Sequence, residues 1–497
     1  MRVIGYSLLI AVACGGSHKA NQGSPGAAGA GNRAGGSGSA GMPSSGGRAG
    51  AGAGGTGGDA GSNEAGSSNG DVGGTSGTGA DGGTGGSSGS SGKGGSGGSG
   101  GKGGSGGKGG TSGTSGTGGT GAQPATEFSS FQPADVVIGQ KDFVTNAKAS
   151  KVGAAVLDHA AGSAAFDGKR LFVSDTYTER VLGFSSLPSG NGASAKLVLG
   201  QASVTTSAPG TALAALYQPQ SLHTDGVTLA IADAGNHRVL LTAVSSSSGA
   251  AADVVVGWPD ESTPATGCSS STLRSPASAF IAKGKLLVAD RANNRVLIWN
   301  AVPVSNGTPA DVVLGQASMT SCVANDWLGN GTAGLRAAHT LKGPSDVWTD
   351  GTLVLVADRD NNRVLVWTAF PTANGQAADF VIGQGQFGTA YDDASPSVLE
   401  RPSALAYAGG ALFVADSGHN RVLGWSSFPA NSGSAADLVF GQSDFKHVAA
   451  NDDAQSGKDG TAPTARTLAF PTGVTFAGSS LVVSDTLNRR VLVFQKH

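Results

Sequence analysis

The chain has 497 residues, and its 32 lysines and arginines against 34 aspartates and glutamates leave a formal net charge of −2. Because acidic and basic residues are nearly equal in number, the chain offers no broad basic surface that could bind a phosphate backbone. Nucleic acid is therefore excluded from the expected partners. Glycine supplies 85 residues, crowded into the first quarter of the chain, which sets that quarter apart from the rest.

Residues 1–14 have the pattern of a secretory signal. Arg2 precedes an apolar run of about eleven residues, which is too short for the roughly 20 residues that a membrane-spanning helix needs. The small residues before Cys14 resemble the lipobox of bacterial lipoproteins, which implies a lipid on that cysteine; a plain cleaved signal with an incidental cysteine is the alternative. We expect an exported protein of the bacterial cell envelope, held at the outer membrane or cell surface by a lipid anchor only.

Residues 15–123 consist mainly of Gly, Ser, Thr and Ala. Such a segment has almost nothing to bury and cannot offset the entropy cost of ordering, so we predict a disordered tether. Random-coil scaling gives it a typical reach on the order of 60 Å, which is sufficient to hold a folded domain clear of a membrane surface.

Residues 124–497 repeat one hairpin six times, as in LLVADRANNRVLIW and VLVADRDNNRVLVW. In every copy an apolar strand ends in aspartate, a polar turn follows, and an arginine stands five positions after the aspartate. A charge-assisted pair between the two side chains would fix the hairpin, so we interpret both residues as structural. The pairs are Asp175 and Arg180, Asp233 and Arg238, Asp290 and Arg295, Asp358 and Arg363, Asp416 and Arg421, and Asp485 and Arg490.

The turns of these hairpins are rich in asparagine, which tolerates the left-handed backbone that a tight turn requires. The first copy has Thr178 and Glu179 in its turn instead, so its geometry can differ. His237 and His419 take asparagine-like positions in two other copies. We interpret these two histidines as exposed turn residues rather than metal ligands.

Two further landmarks complete each repeat: a short apolar stretch before the hairpin, opened by a proline in five of the six copies, and an apolar segment after it, such as 311–316. Each repeat therefore reads as four strands, a to d, and four-stranded sheets repeated around an axis predict an all-β, six-bladed β-propeller. A d segment at residues 135–140 precedes all other strands, whereas the last repeat ends with strand c at Phe494. We predict that this N-terminal strand pairs with the last repeat, which closes the ring and removes two exposed edges.

The hairpins resemble the NHL repeats of six-bladed β-propellers, whose blades carry the same Val-Ala-Asp and Asn-Asn-Arg-Val-Leu signature. The resemblance covers roughly residues 130–497 and implies the propeller fold. It implies no single function, because propellers serve as binding platforms, scaffolds and enzymes.

Cys268 and Cys322 are the only cysteines besides Cys14. Both lie in connections from a strand d to the next strand a, on adjacent blades. An even pair in an exported chain favours a disulfide over two free thiols.

The b–c turns and the d–a connections share one side of a propeller, which we call the top face. Two d–a connections, 317–343 and 443–470, are longer than the others. Variation on one face of a rigid scaffold is typical of a binding surface, although surface loops also tolerate insertions. Trp258, Trp327 and Tyr391 lie in d–a connections and are candidates to stack on sugars or anchor a protein partner; packing beneath their own loops is the alternative.

Some propellers similar to this one, such as peptide-amidating lyases, hold a metal on histidines in the central channel. His159, His223 and His339 approach the inner strands and are the candidates for such a site, but no nucleophile or metalloprotease motif accompanies them. We predict no cofactor and interpret the chain as a monomeric, non-catalytic binding module for a protein or carbohydrate ligand. A metal-dependent lyase or hydrolase with its site at the channel mouth is the alternative.

Overall fold

The computed structural model describes residues 127–158 and 163–497. The expectations for the signal segment 1–14, for Cys14 and for the tether 15–123 therefore lie outside the described residues. Within the described ranges, none of the helices combines the length and the apolar character that crossing a bilayer requires.

The described residues form six four-stranded antiparallel sheets, the blades of a propeller. Blade one contains β2 (Ala164–Phe166), β3 (Leu171–Asp175), β4 (Arg180–Phe184) and β5 (Leu197–Leu199). Blade two contains β6 (Pro219–Thr224), β7 (Thr228–Asp233), β8 (Arg238–Ala243) and β9 (Val254–Val256). Blade three contains β10 (Ser278–Ala282), β11 (Lys285–Asp290), β12 (Arg295–Trp299) and β13 (Val312–Leu314).

The remaining blades repeat the same order of four strands. Blade four contains β14 (Asp346–Thr349), β15 (Val354–Asp358), β16 (Arg363–Trp367) and β17 (Phe380–Ile382). Blade five contains β18 (Pro402–Ala408), β19 (Ala411–Asp416), β20 (Arg421–Trp425) and β21 (Leu438–Phe440). Blade six contains β22 (Pro471–Ala477), β23 (Ser480–Asp485), β24 (Arg490–Phe494) and, from the other end of the chain, β1 (Val136–Ile138).

The predicted ring closure is confirmed by the register of β1 on β24. Val136 lies opposite Val493, and Val137 lies opposite Leu492. The last backbone amide, that of His497, also donates to the carbonyl of Glu127 at 3.3 Å. The two ends of the propeller therefore lie side by side, and blade six takes its strands from both.

Each b–c turn is a single turn of 3-10 helix that ends in a left-handed residue. The helical turns are Thr176–Thr178, Ala234–Asn236, Arg291–Asn293, Arg359–Asn361, Ser417–His419 and Thr486–Asn488. The left-handed residues that follow them are Glu179, His237, Asn294, Asn362, Asn420 and Arg489. The sequence predicted the left-handed conformation for the asparagines. Glu179, His237 and Arg489 adopt it at the same position of their repeats.

The core lies between the blades rather than at one centre. Along β16, Leu365 packs with Val296 and Ile298 of blade three, whereas Val364 and Val366 pack toward blade five. This alternation follows from the two-residue period of a strand, whose successive side chains point to opposite faces. Both faces of each middle strand are buried, which explains the runs of Val and Leu in the hairpins.

Candidate functional site

The top face is held in place by the buried Asp–Arg pairs. In each blade an arginine nitrogen lies 2.7–2.8 Å from the aspartate Oδ2, and both side chains are buried. In blade three, Arg295 also donates through Nη2 to the carbonyls of Ser269 and Thr272, at 2.8 and 2.9 Å. These two carbonyls belong to the connection that enters blade three, so the pair fixes a loop as well as a hairpin.

In five of the six blades the same arginine also holds the connection that leaves the blade. Arg421 donates through Nη1 to the carbonyl of Phe445 at 2.6 Å, and Arg295 donates in the same way to Met319. Arg238 is different, because its Nη1 donates to Thr211 in the connection that enters blade two. A planar guanidinium with five donors suits this task, since it bonds the carboxylate and several carbonyls at once.

The left-handed turn residue ties each blade to the next. Asn294 accepts the amide of Gly343 at 2.9 Å, and Asn362 accepts the amide of Arg401 at 3.0 Å. His237 makes the equivalent contact, because its Nδ1 accepts the amide of Ser275 at 3.0 Å. The His237 side chain is therefore a structural acceptor between blades two and three.

The expectation that His419 is exposed is wrong, because only 3% of it remains accessible. It stands where other blades have an asparagine, and it makes that residue's two bonds: Nδ1 to Asp416 Oδ2 and Nε2 to the Asp392 carbonyl, both 2.8 Å. Burial lowers the pKa of His419, but the hydrogen bond and charge of Asp416 outweigh burial, so its pKa is raised. Both ring nitrogens face acceptors, which suits the imidazolium form.

The prediction that Trp258 belongs to a ligand site is also wrong, because its side chain is 1% exposed. Its indole Nε1 donates to the Asn236 carbonyl at 2.8 Å, and the Arg238 guanidinium lies 4.4 Å from its ring. In the other blades a glutamine amide donates to the same turn; Gln201, for example, donates to the Glu179 carbonyl at 2.9 Å. Trp258 therefore replaces a structural glutamine.

Trp327 and Tyr391 remain accessible on the top face, with 39% and 59% of their surfaces exposed. The Trp327 ring lies 3.9 Å from the His339 ring, centroid to centroid, so one face of the indole is covered. The backbone of Tyr391 is fixed, since its amide donates to Gln384 Oε1 at 2.8 Å. Both aromatic rings are thus presented by ordered segments.

The two long connections share one internal architecture. Asn325 exchanges amide hydrogen bonds with Asn361 of the adjacent turn, and Asn451 does the same with Asn488. The aspartate that follows each of these connection asparagines accepts the amide five residues further on, at 2.8 and 2.7 Å. The next residue is Trp327 in the first connection and an aspartate in the second, which makes the two connections a matched pair.

A disulfide joins Cys268 to Cys322. It links the connection that enters blade three to the long connection 317–343 that leaves it. The expected pairing is therefore present in the structure, and it braces the segment that carries Trp327.

Exposed large apolar side chains concentrate on the top face. Among the residues that the structure describes, eleven such side chains are exposed, and nine of them lie in b–c turns or d–a connections. The nine are Val144, Tyr177, Tyr217, Trp327, Leu328, Leu335, Tyr391, Val448 and Leu487. The two on the opposite face are Val227 and Val304.

The inner strands of all six blades line a cavity of about 160 Å³ in the central channel. His223 lines it and stacks on Phe280, with 3.6 Å between the ring centroids. Its Nδ1 accepts the amide of Ile281 at 3.2 Å, and burial lowers the pKa of His223 to about 4. The imidazole is therefore neutral at pH 7.

The candidate metal ligands fall in different surroundings. His223 faces the channel cavity, His339 packs on Trp327 at the top face, and His159 lies outside the described residues. Within residues 127–158 and 163–497, no three side chains of His, Cys, Asp or Glu stand close enough to hold a metal ion.

Asp346 is a channel residue that the sequence reasoning missed. Its Oδ1 accepts the Ser278 hydroxyl at 2.6 Å and the Val347 amide at 2.9 Å, and Oδ2 accepts the Leu405 amide at 2.8 Å. Burial raises the pKa of Asp346 to about 6. The sequence does mark this residue as unusual. Asp346 stands two positions after the proline landmark, where the other proline-marked repeats carry Ser, Ala or Gly.

Comparison with known proteins yields similarities of architecture. No protein-family model matches the chain, and no curated protein matches it. It is similar to the WD40 β-propeller domain of Doa1 (10% identity, 75% of this chain and 97% of that one, TM-score 0.37). It is also similar to hydrazine synthase of Kuenenia stuttgartiensis (12% identity, 71% and 97%, TM-score 0.38) and to the designed protein Ika8 (9% identity, 67% and 70%, TM-score 0.32). By its own strand order, the chain is a six-bladed β-propeller.

Proposed function

We propose that the protein is a non-catalytic interaction module that binds a partner protein through the top face. The observation that carries this proposal is the distribution of exposed large apolar side chains within residues 127–158 and 163–497, nine on the top face and two on the other. Apolar surface that gathers on one side of a rigid scaffold is typical of a contact surface. The Asp–Arg pairs keep the connections ordered, so little entropy is lost when a partner binds.

The chemistry of the top face favours a protein ligand over a carbohydrate. Leu328 and Leu335 are 79% and 89% exposed in the same connection as Trp327. Sugars stack on aromatic rings, whereas aliphatic side chains gain stability only when another apolar surface covers them. A protein partner can use both kinds of side chain, with Trp327 and Tyr391 as aromatic anchors.

We also propose that the protein works at the bacterial cell envelope. Residues 1–14 and the disulfide both suit an exported chain, and a lipid on Cys14 would anchor the propeller by the segment 15–123. The repeats would then be NHL-type blades displayed at the envelope surface. A Cys14→Ser variant should lose labelling by an alkyne fatty acid and leave the membrane fraction; unchanged labelling would refute the anchor.

A matched pair of crosslinking sites tests the top face. A photo-crosslinking amino acid placed at Tyr391 in the full chain should capture a partner protein in intact cells. The same amino acid at Val304, which is 90% exposed on the opposite face, is the control. Equal capture from both sites would count against the proposal.

The long connections supply the variant for binding measurements. Trp327→Asp places in the first connection the residue that the second carries as Asp453, so the loop architecture is retained. Loss of a central aromatic anchor should weaken binding of the captured partner by about 2 kcal/mol or more. Calorimetry measures the affinity, and the melting midpoint shows whether the variant is folded. Weaker binding with an unchanged midpoint would identify Trp327 as a contact residue, whereas unaltered affinity would exclude it from the interface. Binding to glycans alone would favour the carbohydrate alternative.

A further inference from the structure

Another blade shows what Asp346 would do if its role were only to join neighbouring strands. Ser163 holds the corresponding place in blade one, and its hydroxyl accepts the amide of Leu222 at 2.8 Å. Asp346 Oδ2 accepts the equivalent amide of Leu405 at the same 2.8 Å. The bond between neighbouring inner strands is therefore made by a hydroxyl in one place and by a carboxylate in the other. Joining the blades does not require a charge.

The groups of the described residues that donate hydrogen bonds to the Asp346 carboxylate are all neutral. A hydroxyl and two amides donate to it, and these bonds do not offset burial, which raises its pKa to about 6. The Asp346 side chain is partly exposed to the channel, but desolvation by its surroundings still disfavours the charged form, and serine would avoid that cost while keeping the bond to Leu405. The carboxylate thus has a use beyond holding the strands together.

Aromatic rings continue the wall from Asp346 around the cavity. The Trp348 ring lies 6.0 Å from Phe280 and 4.9 Å from Tyr407, centroid to centroid. Trp348 and Tyr407 meet edge to face at 81°, so their ring planes are steeply inclined to each other. Rings set at such angles can offer their negative faces to one cation from different sides.

We propose that the central channel binds a small organic ammonium ion, with Asp346 as the counter-charge and Trp348, Tyr407 and Phe280 as an aromatic box. The cavity of about 160 Å³ compares with the roughly 150 Å³ that holds one benzene molecule. A free ion of about choline's dimensions therefore fits this volume. Because Nδ1 of His223 accepts an amide, its neutral ring carries the proton on Nε2, which can donate to a hydroxyl of the ligand.

Choline and its uncharged carbon analogue, 3,3-dimethylbutan-1-ol, distinguish a cation site from an apolar cavity. The full-length protein is titrated with each compound by calorimetry at pH 7.5. We expect choline to bind about tenfold or more tightly than the neutral analogue. Equal affinities, or no heat with choline, would overturn the proposal.

Asp346→Ser is the central variant because Ser163 shows that a hydroxyl can make the same bond between strands. It should bind choline about tenfold or more weakly than the unaltered protein. Asp453→Ser, an exposed aspartate on the top face, changes the net charge equally and should leave choline affinity unchanged. If Asp346→Ser does not fold, Asp346→Asn gives the same readout. Unaltered affinity in the folded Asp346 variant refutes the assignment.

The pH dependence of choline affinity is a further test, because a purely structural role of Asp346 would not make this affinity depend on pH. The titratable side chains that line the cavity are Asp346, His223 and Tyr407. Because the pKa of His223 is about 4, Asp346 is the group expected to change charge near pH 6. Affinity should fall as the pH decreases through about 6, and a flat profile from pH 7.5 to 5 would contradict the role of the carboxylate.

Discussion

At the scale of single residues, the same position in the repeat serves one structural task with different side chains. The acceptor in the left-handed turn is asparagine in some blades and His237 in another, and the donor to the turn is glutamine or Trp258. What is constant is the bond: the acceptor satisfies a backbone amide of the connection to the next blade, and the donor satisfies a backbone carbonyl of the turn in its own blade. The Asp–Arg pair is present in every blade, and it satisfies several backbone groups at once.

Removing one member of a buried pair should be strongly destabilising. Asp290→Ala leaves the Arg295 guanidinium buried without a counter-charge, and we expect a loss of about 3–5 kcal/mol. Urea unfolding followed by tryptophan fluorescence measures this loss. Asp453→Ala, at an exposed position, is the control and should change stability by less than about 0.5 kcal/mol. A loss at Asp290 no larger than that of the control would contradict a structural pair.

Asp346 should make stability fall as the pH rises. Its pKa is about 6 in the folded protein against 3.8 for the free side chain, so the folded state binds more protons between these values. The contribution of Asp346 to stability is therefore fully present below about pH 4, and up to about 3 kcal/mol of it is lost as the pH rises to 7. In Asp346→Asn this component of the pH slope should disappear. Parallel slopes for the two proteins would show that Asp346 does not titrate in this range.

At the scale of elements, a blade and its two connections form one unit. The arginine at the start of strand c donates to the connection that enters the blade and, in most blades, also to the one that leaves it. The long connections 317–343 and 443–470 add a further bond from an asparagine to the helical turn. Added length is thus accommodated without loss of order, which suits a surface that must present side chains at fixed positions.

The disulfide should stabilise the connections around blade three. Cys268 and Cys322 are 54 residues apart, and a bridge that closes a loop of this size contributes about 2–4 kcal/mol. Reductant should lower the urea midpoint of the unaltered protein accordingly. A double Cys268→Ser, Cys322→Ser variant should match the reduced protein and be insensitive to reductant. Identical midpoints for oxidised and reduced protein would contradict this contribution.

At the scale of the whole molecule, β1 decides whether the ring is closed. It supplies the outer strand of blade six, and Val137 lies in the same apolar cluster as Leu492, Phe494 and Phe440. Without β1, strand β24 would present an unpaired apolar edge, which is a template for association. Closure therefore protects blade six from both solvent and other chains.

Deletion of residues 134–140 should convert the monomer expected for this chain into associating species with a lower melting midpoint. The matched control is a circular permutant in which His497 is joined to Glu127 and the chain begins at Ser163. Because the two ends are already adjacent, the permutant should keep the melting midpoint of residues 127–497. Size-exclusion chromatography with light scattering distinguishes the species. A deleted chain that stays monomeric and equally stable would refute the role of closure.

The number of blades, the strand order and the ring closure were predictable because short sequence patterns specify them and recur in every repeat. An apolar strand, a turn that demands a left-handed residue and an arginine five positions after an aspartate specify a hairpin wherever they occur. Six copies in one order, with a strand d displaced to the front, leave the ring as the arrangement that pairs every strand. Their place in connections made Trp258, Trp327 and Tyr391 equal candidates for exposure, and only Trp327 and Tyr391 are exposed.

Burial between blades was decided only in the tertiary structure. Trp258, His419 and Asp346 each meet partners from another turn, connection or blade, 22 to 59 positions away in sequence. No local pattern reports what such a distant segment will supply, so a tryptophan in a loop and a histidine in a turn were expected to face solvent. The channel cavity exists only where six inner strands converge, and its carboxylate became visible as a candidate site once those strands were placed around it.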